Sequence, residues 1–305
     1  MQRYIVSSVT QAVLVLAGVL ILVFFMVRAT GDPARLMLAR EAKPEQVEEF
    51  REKMGFNRPL IVQFGDFVFK AFTGDFGNSL HYRLPAFDLI LERLPATVQL
   101  AVVALIMAVV IAIPLGLIGG ASPGSPVDAV GRAIGLVGQT VPPFWLALVL
   151  IIVFAVNLRW FPTSGRDEWT SVVMPGLVLS LGTMGRLVRL TRSSVLEIMG
   201  DDYIRTARSK GLSDSVIFFK HALRNAAIPL ITVIGVQFGY MLGGTVIIES
   251  VFAWPGLGRL VAESIGRRDF PLVQGIAFFA SAVVILLTVL TDILYALVDP
   301  RIRYE

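Results

Sequence analysis

Cysteine is missing from all 305 residues. Its absence excludes disulfides, thiolate metal sites and cysteine nucleophiles. Histidine is nearly missing too, with only His81 and His221 present. The topology read below puts these two on opposite sides of a membrane, so they share neither a metal site nor a catalytic pair, and His81 is expected at the surface. No GxxxxGK followed by Ser or Thr occurs, so this chain is not expected to hydrolyse nucleotide itself. No Ser-His-Asp set and no facing pair of intramembrane acids is found, which disfavours an intramembrane hydrolase. Charge is scarce as well, at 16% of residues, where a soluble domain carries about 25%. The net charge of +4 makes no case for nucleic acid, because the bases gather in loops beside apolar runs.

What remains is apolar length. The chain is 55% hydrophobic with a mean hydropathy of +0.73, and a membrane span needs roughly 20 such residues. Six runs qualify: Ile5 to Val27, Ala96 to Ile118, Arg132 to Asn157, Val172 to Ser194, Ile228 to Ile248 and Leu272 to Val298. The first is too long for a signal-peptide core and has no clear small-x-small cleavage site, so it reads as a retained span. The loop from Asp201 to Pro229 carries Arg205, Arg208, Lys210, Lys220 and Arg224, just after Arg186, Arg189 and Arg192. Basic loops between spans stay on the cytoplasmic side, and that orients the rest. The expected fold is an all-α polytopic membrane protein with six transmembrane helices and both termini cytoplasmic. Its divisions are an N-terminal span (1–27), a long extracytoplasmic helical insertion (28–95), a transmembrane core (96–298) that includes a cytoplasmic loop (195–227), and a cytoplasmic tail (299–305).

The insertion carries ten basic and ten acidic residues, and its length exempts it from the positive-inside tendency. Within it, Pro44 to Lys53 is a helix by its first-turn proline, early glutamates, late bases and the stop at Gly55. Leu60, Phe64, Phe67, Val68, Ala71 and Phe72 share a face of a second helix, expected on the membrane surface or against neighbouring spans. Gly74 to Leu80 reads as turns, and Pro85 to Leu94 as a short amphipathic helix leading into the bilayer. Pro114 marks a kink in the second span, Gly119 to Gly131 an inner turn, and Pro142–Pro143 an interruption of the third. Arg186, Arg189 and Arg192, three apart, are expected on one helical side, snorkelling to headgroups. Glu249 to Pro271 is an outer segment with a short helix near Leu260 to Ile265. Asp292, near the inner end of the last span, is read as a partner for loop arginines.

The basic loop has helical punctuation. Acids precede bases between Asp202 and Lys210, Gly211 stops the run, and a second helical run follows from Asp214 or Ser215 to Ala227. Ala207 and Gly211, four apart, would form one small-residue face for a partner. A basic loop held at anionic headgroups is the alternative. In the fifth span Gly235, Gly239 and Gly243 recur every four residues. Such a stripe lets another helix approach closely or leaves open volume along a conduit, and both readings stand. Gln237 and Tyr240 lie elsewhere on that helix, where they would face a wet cavity.

RTARSKGL from Arg205 to Leu212, followed by HALRNAAIP from His221 to Pro229, resembles the EAA loop of permease subunits in binding-protein-dependent ABC importers, in the version of the di-/oligopeptide and nickel branch. Arg205 stands where the broad consensus has glutamate and the loop proline comes late, at Pro229, as is usual in that branch. The resemblance extends through Gly31-Asp32-Pro33, Gly55-Phe56-Asn57-Arg58-Pro59-Leu60, Gly74-Asp75-Phe76-Gly77 with Ser79, Leu94 to Ala101, Glu249 to Pro271 and the closing Asp299-Pro300-Arg301-Ile302-Arg303. The long insertion matches the first-listed permease of such systems. The resemblance implies a coupling helix in which Tyr203, Arg205, Thr206, Ala207, Arg208, Lys210, Gly211 and Leu212 dock on an ATPase subunit. It also implies a second homologous permease as heterodimer partner, two ATP-binding subunits that hold ATP and Mg, an extracytoplasmic solute-binding protein, and a place in the bacterial inner membrane. This chain itself would hold no cofactor. An ion-coupled secondary carrier or channel is the alternative, but it needs polar groups at mid-bilayer, where these spans are almost wholly apolar.

Overall fold

The computed structural model describes residues 2–29, 31–32, 34–35, 38, 42–200, 202–211 and 223–298. Its elements in chain order are α1 (Gln2–Ala29), α2 (Pro44–Lys53), α3 (Leu60–Thr73), α4 (Ala86–Ala121), α5 (Pro126–Thr140), α6 (Pro143–Leu150), α7 (Val173–Met199), α8 (Asp202–Ser209), α9 (Leu223–Val251), α10 (Leu257–Gly266) and α11 (Phe270–Val298). A π-helical stretch, Ile151–Asn157, prolongs α6, and a 3-10 turn, Trp169–Val172, leads into α7. No strand occurs among the described residues beyond a single bridge between Asn78 and Pro85. Two compact units are formed, one of residues 1–96 and 255–286, the other of 97–254 and 287–305.

In the first unit, α2 starts and stops where its punctuation places it. Pro44 opens the first turn, Gln46 accepts from the Lys43 N–H, and Arg51 and Lys53 close the last turn. α3 ends at Gly74, which takes a left-handed φ of 77° and returns its N–H to Ala71. Phe24 of α1 meets Phe64 of α3 edge-on at 5.2 Å, and the Arg28 guanidinium lies 3.4 Å over the Phe24 ring while donating to Gln63. A second core joins Ala86, Leu89 and Ile90 to Leu257, Leu260, Leu272 and Ile276. The turn from Gly74 to Leu80 is held by buried Asp269, which accepts from the Ser79 hydroxyl and the His81 N–H. His81 itself is exposed, as expected. Burial pushes the Glu263 carboxyl up, but Arg259 and the Tyr82 hydroxyl outweigh it and leave the group below its ordinary range. At Asp32 burial is likewise outweighed by Arg51. A cavity of about 750 Å³ opens in this unit among Phe24, Phe50 and Phe67, with Arg28, Lys70 and Asp75 also lining it.

The second unit is organised around α7. Ala101, Ala104, Ala108 and Ala112 of α4 pack with Met184, Leu187 and Val188 of α7 and with Leu230 and Met241 of α9. Small residues on one helix let large ones on the next reach the shared axis.

Two boundaries differ from the expectation. The amphipathic helix at 85–94 and the second span are one element, since α4 runs unbroken through Pro95 and Pro114. Proline removes one N–H bond, but its φ is already helical, and the surrounding Leu, Ala and Val carry the helix on. The expected inner turn at 119–131 is also shorter. Ser125 caps α5 by accepting from the Asp128 N–H, with Pro126 in the first turn, so the third apolar run starts six residues early. It is not a single kinked helix, because Pro142 and Pro143 turn the chain by 112° between α5 and α6.

Among the described residues, three helices are long and apolar enough to cross a bilayer, and up to five spans result if each of two bent pairs counts as one. α1 adds the shorter apolar stretch Val13–Ala29. Trp160 and Trp169, in the stretch between α6 and α7, are exposed.

Candidate coupling site and its buried polar supports

Where the coupling helix is expected stands α8, eight residues long, with Asp202 in its first turn. Ile204 is fully buried against Ile198 and Met199 at the end of α7. That single apolar anchor seats an otherwise polar helix on the span that precedes it. The Thr206 hydroxyl donates to the Asp202 carbonyl, and Thr206 and Lys210 are exposed. The helix is stopped as expected. The Lys210 N–H bonds the Thr206 carbonyl, and Gly211 adopts φ 78° with nothing within 4 Å of a Cβ placed there. Gly211 therefore lies beyond the helix and does not share a face with Ala207, contrary to the four-residue spacing argument, which holds only while both positions stay helical. Tyr203, Arg205, Ala207 and Arg208 lie within α8. Leu212 and the helical run expected from 214 fall outside the described residues until α9 begins at Leu223.

Three polar contacts brace the spans of this unit. The first joins α5 to α7. Asp128, 2% exposed, accepts from Arg192 Nε at 2.6 Å and Nη2 at 3.2 Å, and from the Gly124 N–H at 2.9 Å. Arg132 stands 3.6 Å from the same carboxylate. Arg192 is thus half-buried and held by a carboxylate of the protein, where headgroups were the expected partner. Of the three arginines only Arg186 and Arg189 are exposed. The second contact corrects the reading of Gln237, which is 7% exposed and faces no wet cavity. Its Oε1 accepts from Arg186 and from the Thr183 hydroxyl, both on α7. A polar side chain on an apolar helix needs a partner, and here the neighbouring span supplies one. The third contact is Glu249 Oε1, wholly buried, accepting from the Thr97 hydroxyl at 2.7 Å.

Tyr240 is 70% exposed, and Cβ atoms placed at Gly239 and Gly243 would meet nothing within 4 Å. No helix of the described chain closes on that part of the stripe. Gly235 lies on the same helix at intermediate burial. The Asp292 side chain and the tail from 299 lie outside the described residues.

The sequence reading passed over Asp128, Glu249 and Asp269 as partners. For Asp128 the signal was there: Ser125-Pro126 followed by an acid two residues on marks a helix start, though not the arginine it would meet.

Residues 112–304 match the family described as the inner membrane component of binding-protein-dependent transport systems, and residues 1–101 match the N-terminal part of such components. The chain belongs to this family. Over its whole length the permease is 40% identical to a protein of Brucella abortus (strain 2308) named for a peptide transport system permease, and the match covers all of that protein as well. It is 38% identical to the glutathione transport system permease protein GsiC of Escherichia coli (strain K12), again over the full length of both. In fold it is similar to the MetNI methionine ABC transporter in an inward-facing conformation, with a TM-score of 0.57 and 20% identity, over 69% of this chain and 96% of that one. The permease is therefore a multi-pass inner-membrane subunit of an ATP-driven ABC importer, a family in which the ATPase is a separate subunit.

Proposed function

We infer that the permease pairs with a second, homologous permease to form a pathway for di- or oligopeptides or a chemically close solute such as glutathione, delivered by an extracytoplasmic binding protein. The peptide and glutathione systems named for its full-length relatives support that cargo class. The membrane arrangement is six spans with both termini cytoplasmic, α1 to α11 supplying them and 28–95 lying outside. Two ATP-binding subunits hold ATP and Mg, and one of them receives α8 and the glycine behind it.

The observation that carries the coupling role is the construction of α8. It is a basic helix in a loop of positive-inside character, anchored by Ile204 to the span before it and ended by a left-handed glycine with open space around it. A loop merely attracted to headgroups needs neither the anchor nor the stop. The helix is short enough that one displaced turn removes it, so its geometry can be tested at Gly211. A β-branched residue at φ 78° costs about 1–2 kcal/mol of backbone strain, whereas asparagine tolerates that region. In proteoliposomes holding the whole importer, Gly211→Val is expected to abolish uptake and binding-protein-stimulated ATP hydrolysis while the permease still inserts. Gly211→Asn should keep a substantial part of both. Normal uptake by the valine variant rules out the coupling role.

A further inference from the structure

α5 and α7 run antiparallel in one fixed register. Asp128 meets Arg192, Gly131 meets Val188, Gly135 meets Gly185 and Gly138 meets Leu181, so steps of three and four forward along α5 match steps of four and three back along α7. Two of the glycine contacts leave no slack. A methyl group at Gly185 would lie 3.0 Å from the Gly135 carbonyl oxygen, and one at Gly138 only 2.3 Å from that of Leu181. Rotating or sliding one helix past the other brings Ile134, Leu136 or Val137 against the α7 backbone. Beyond Arg192, α7 continues without a break to Met199, two turns on and on the same side, where it grips Ile204 of the coupling element. At its other end α5 stops at Val141 and Pro142, both extended, where the chain turns through 112° into α6.

We propose that the Asp128–Arg192 pair locks α5 and α7 into one lever, which carries a push on the Asp202–Gly211 element to the α5–α6 corner at Val141–Pro142. The proposal rests on the reading of Asp202–Gly211 as the ATPase-docking element. The pair is the part of this contact that can open. Carbonyls and glycines hold the middle of the two helices by shape alone, and shape resists sliding better than it resists splaying at one end. Asp128 sits at the end nearest the coupling element, buried, with its carboxylate taken up by Arg192 and the Gly124 N–H. Splaying there would take the two-pronged Arg192 contact from a buried carboxylate and leave it only the Gly124 N–H and Arg132 at 3.6 Å, and weakening a buried charge's pairing is unfavourable. A load arriving through Met199 therefore moves α5 together with α7. The few extended residues at the corner can absorb the change, as hinge positions do. Asp128 and Arg192 are positioning residues in this scheme, since neither has to touch cargo or nucleotide.

The test uses the complete importer in proteoliposomes, with all readings normalised to assembled complex. Asp128→Asn keeps an oxygen for the Gly124 N–H but gives up the charge, and Arg192→Gln removes the fork. Both are expected to retain co-purifying ATPase subunits and basal ATP hydrolysis. Stimulation by loaded binding protein and uptake should each fall about tenfold, within the range of ordinary coupling energies. The double variant should be no worse than either single, because partners in one interaction are not additive. The chain has no cysteine, so Asp128→Cys with Arg192→Cys admits a short bifunctional thiol reagent at one place in it. Joining the two positions should restore stimulation that the unjoined variant lacks. A purely stabilising pair would lower the amount of complex and leave stimulation per complex unchanged, which overturns the proposal. Additive losses, or a joined variant that transports less than the unjoined one, overturn it too. If Asp128→Asn couples normally while Gly211→Val does not, the lever fails and the docking element stands; if Gly211→Val itself transports normally, the docking element is what has failed.

Discussion

α5 and α9 both carry glycine at helical spacing, and the two sets of glycines do opposite things. On α5, Gly131, Gly135 and Gly138 all lie against α7: a methyl at Gly138 would collide with the Leu181 backbone, one at Gly131 would press on Val188 at 3.1 Å, and one at Gly135 would sit in ordinary contact with Gly185 at 3.7 Å. On α9, Gly239 and Gly243 have nothing within 4 Å of where a Cβ would stand, among exposed Val236, Tyr240 and Ile247. The spacing alone does not tell a contact already made within the chain from a surface left for something else. What separates them is the neighbour. α7 answers α5 with Gly182 and Gly185 and an arginine for Asp128, while α9 turns buried Gln237 toward α7 and leaves Gly239 and Gly243 without a neighbour among the described residues.

The comparison is broken most forcefully at Gly138. A Cβ there would lie 2.3 Å from the Leu181 carbonyl oxygen and 2.8 Å from its carbon, both backbone atoms that cannot step aside. Overpacking of this kind costs about 3 kcal/mol, and more where the helices cannot separate. Gly138→Ala is therefore expected to cut the yield of folded permease severely and to lower the unfolding temperature of what is purified in detergent. An unchanged melting profile would mean that α5 and α7 are not held in this register.

A middle case lies on α7 itself. A methyl at Gly176 would meet the Met107 sulfur at 3.2 Å and a Val103 methyl at 3.3 Å. Methionine can turn away, and alanine gains up to about 1 kcal/mol of helix propensity over glycine. Gly176→Ala should consequently shift the unfolding temperature by no more than a few degrees in either direction. A loss as large as that of Gly138→Ala would show that Met107 is locked.

Local punctuation was the legible part of this chain. α2 was read to the residue because proline, glutamates, bases and glycine all agree about its ends, and α8 was found by the same signs. Tyr203, Arg205, Thr206, Ala207 and Arg208 fall on a helix for that reason, whereas Gly211 is its stop and lies beyond the helical face. What could not be read was register. Nothing local to Asp128 names Arg192, sixty-four residues away, and nothing local to Gln237 names Arg186. Arg192 was assigned to headgroups and Gln237 to water because those are the partners that need no tertiary knowledge. The continuity of α4 through Pro114 was hidden for a different reason: in a span packed by α7 and α9, neighbouring helices make good what a proline takes away, and a one-helix reading cannot see them.

The smallest effect on the chain alone is expected at the open stripe, and it is the one that gives the comparison its meaning. Gly239→Ala adds a methyl that meets nothing among the described residues and relieves the entropic cost of a mid-helix glycine, about 1 kcal/mol. The isolated permease should melt at the same temperature or slightly higher. Gly239→Leu should leave that melting temperature in place as well, since there is room for it. If the second permease of the importer lies close against α9, the leucine variant must lose heterodimer during co-purification while the alanine variant loses less. Equal recovery of the pair from wild type and Gly239→Leu would leave the stripe facing lipid or the transport pathway. The two glycine faces would then differ in what they exclude, close contact on one and bulk on the other, and not in which chain they touch.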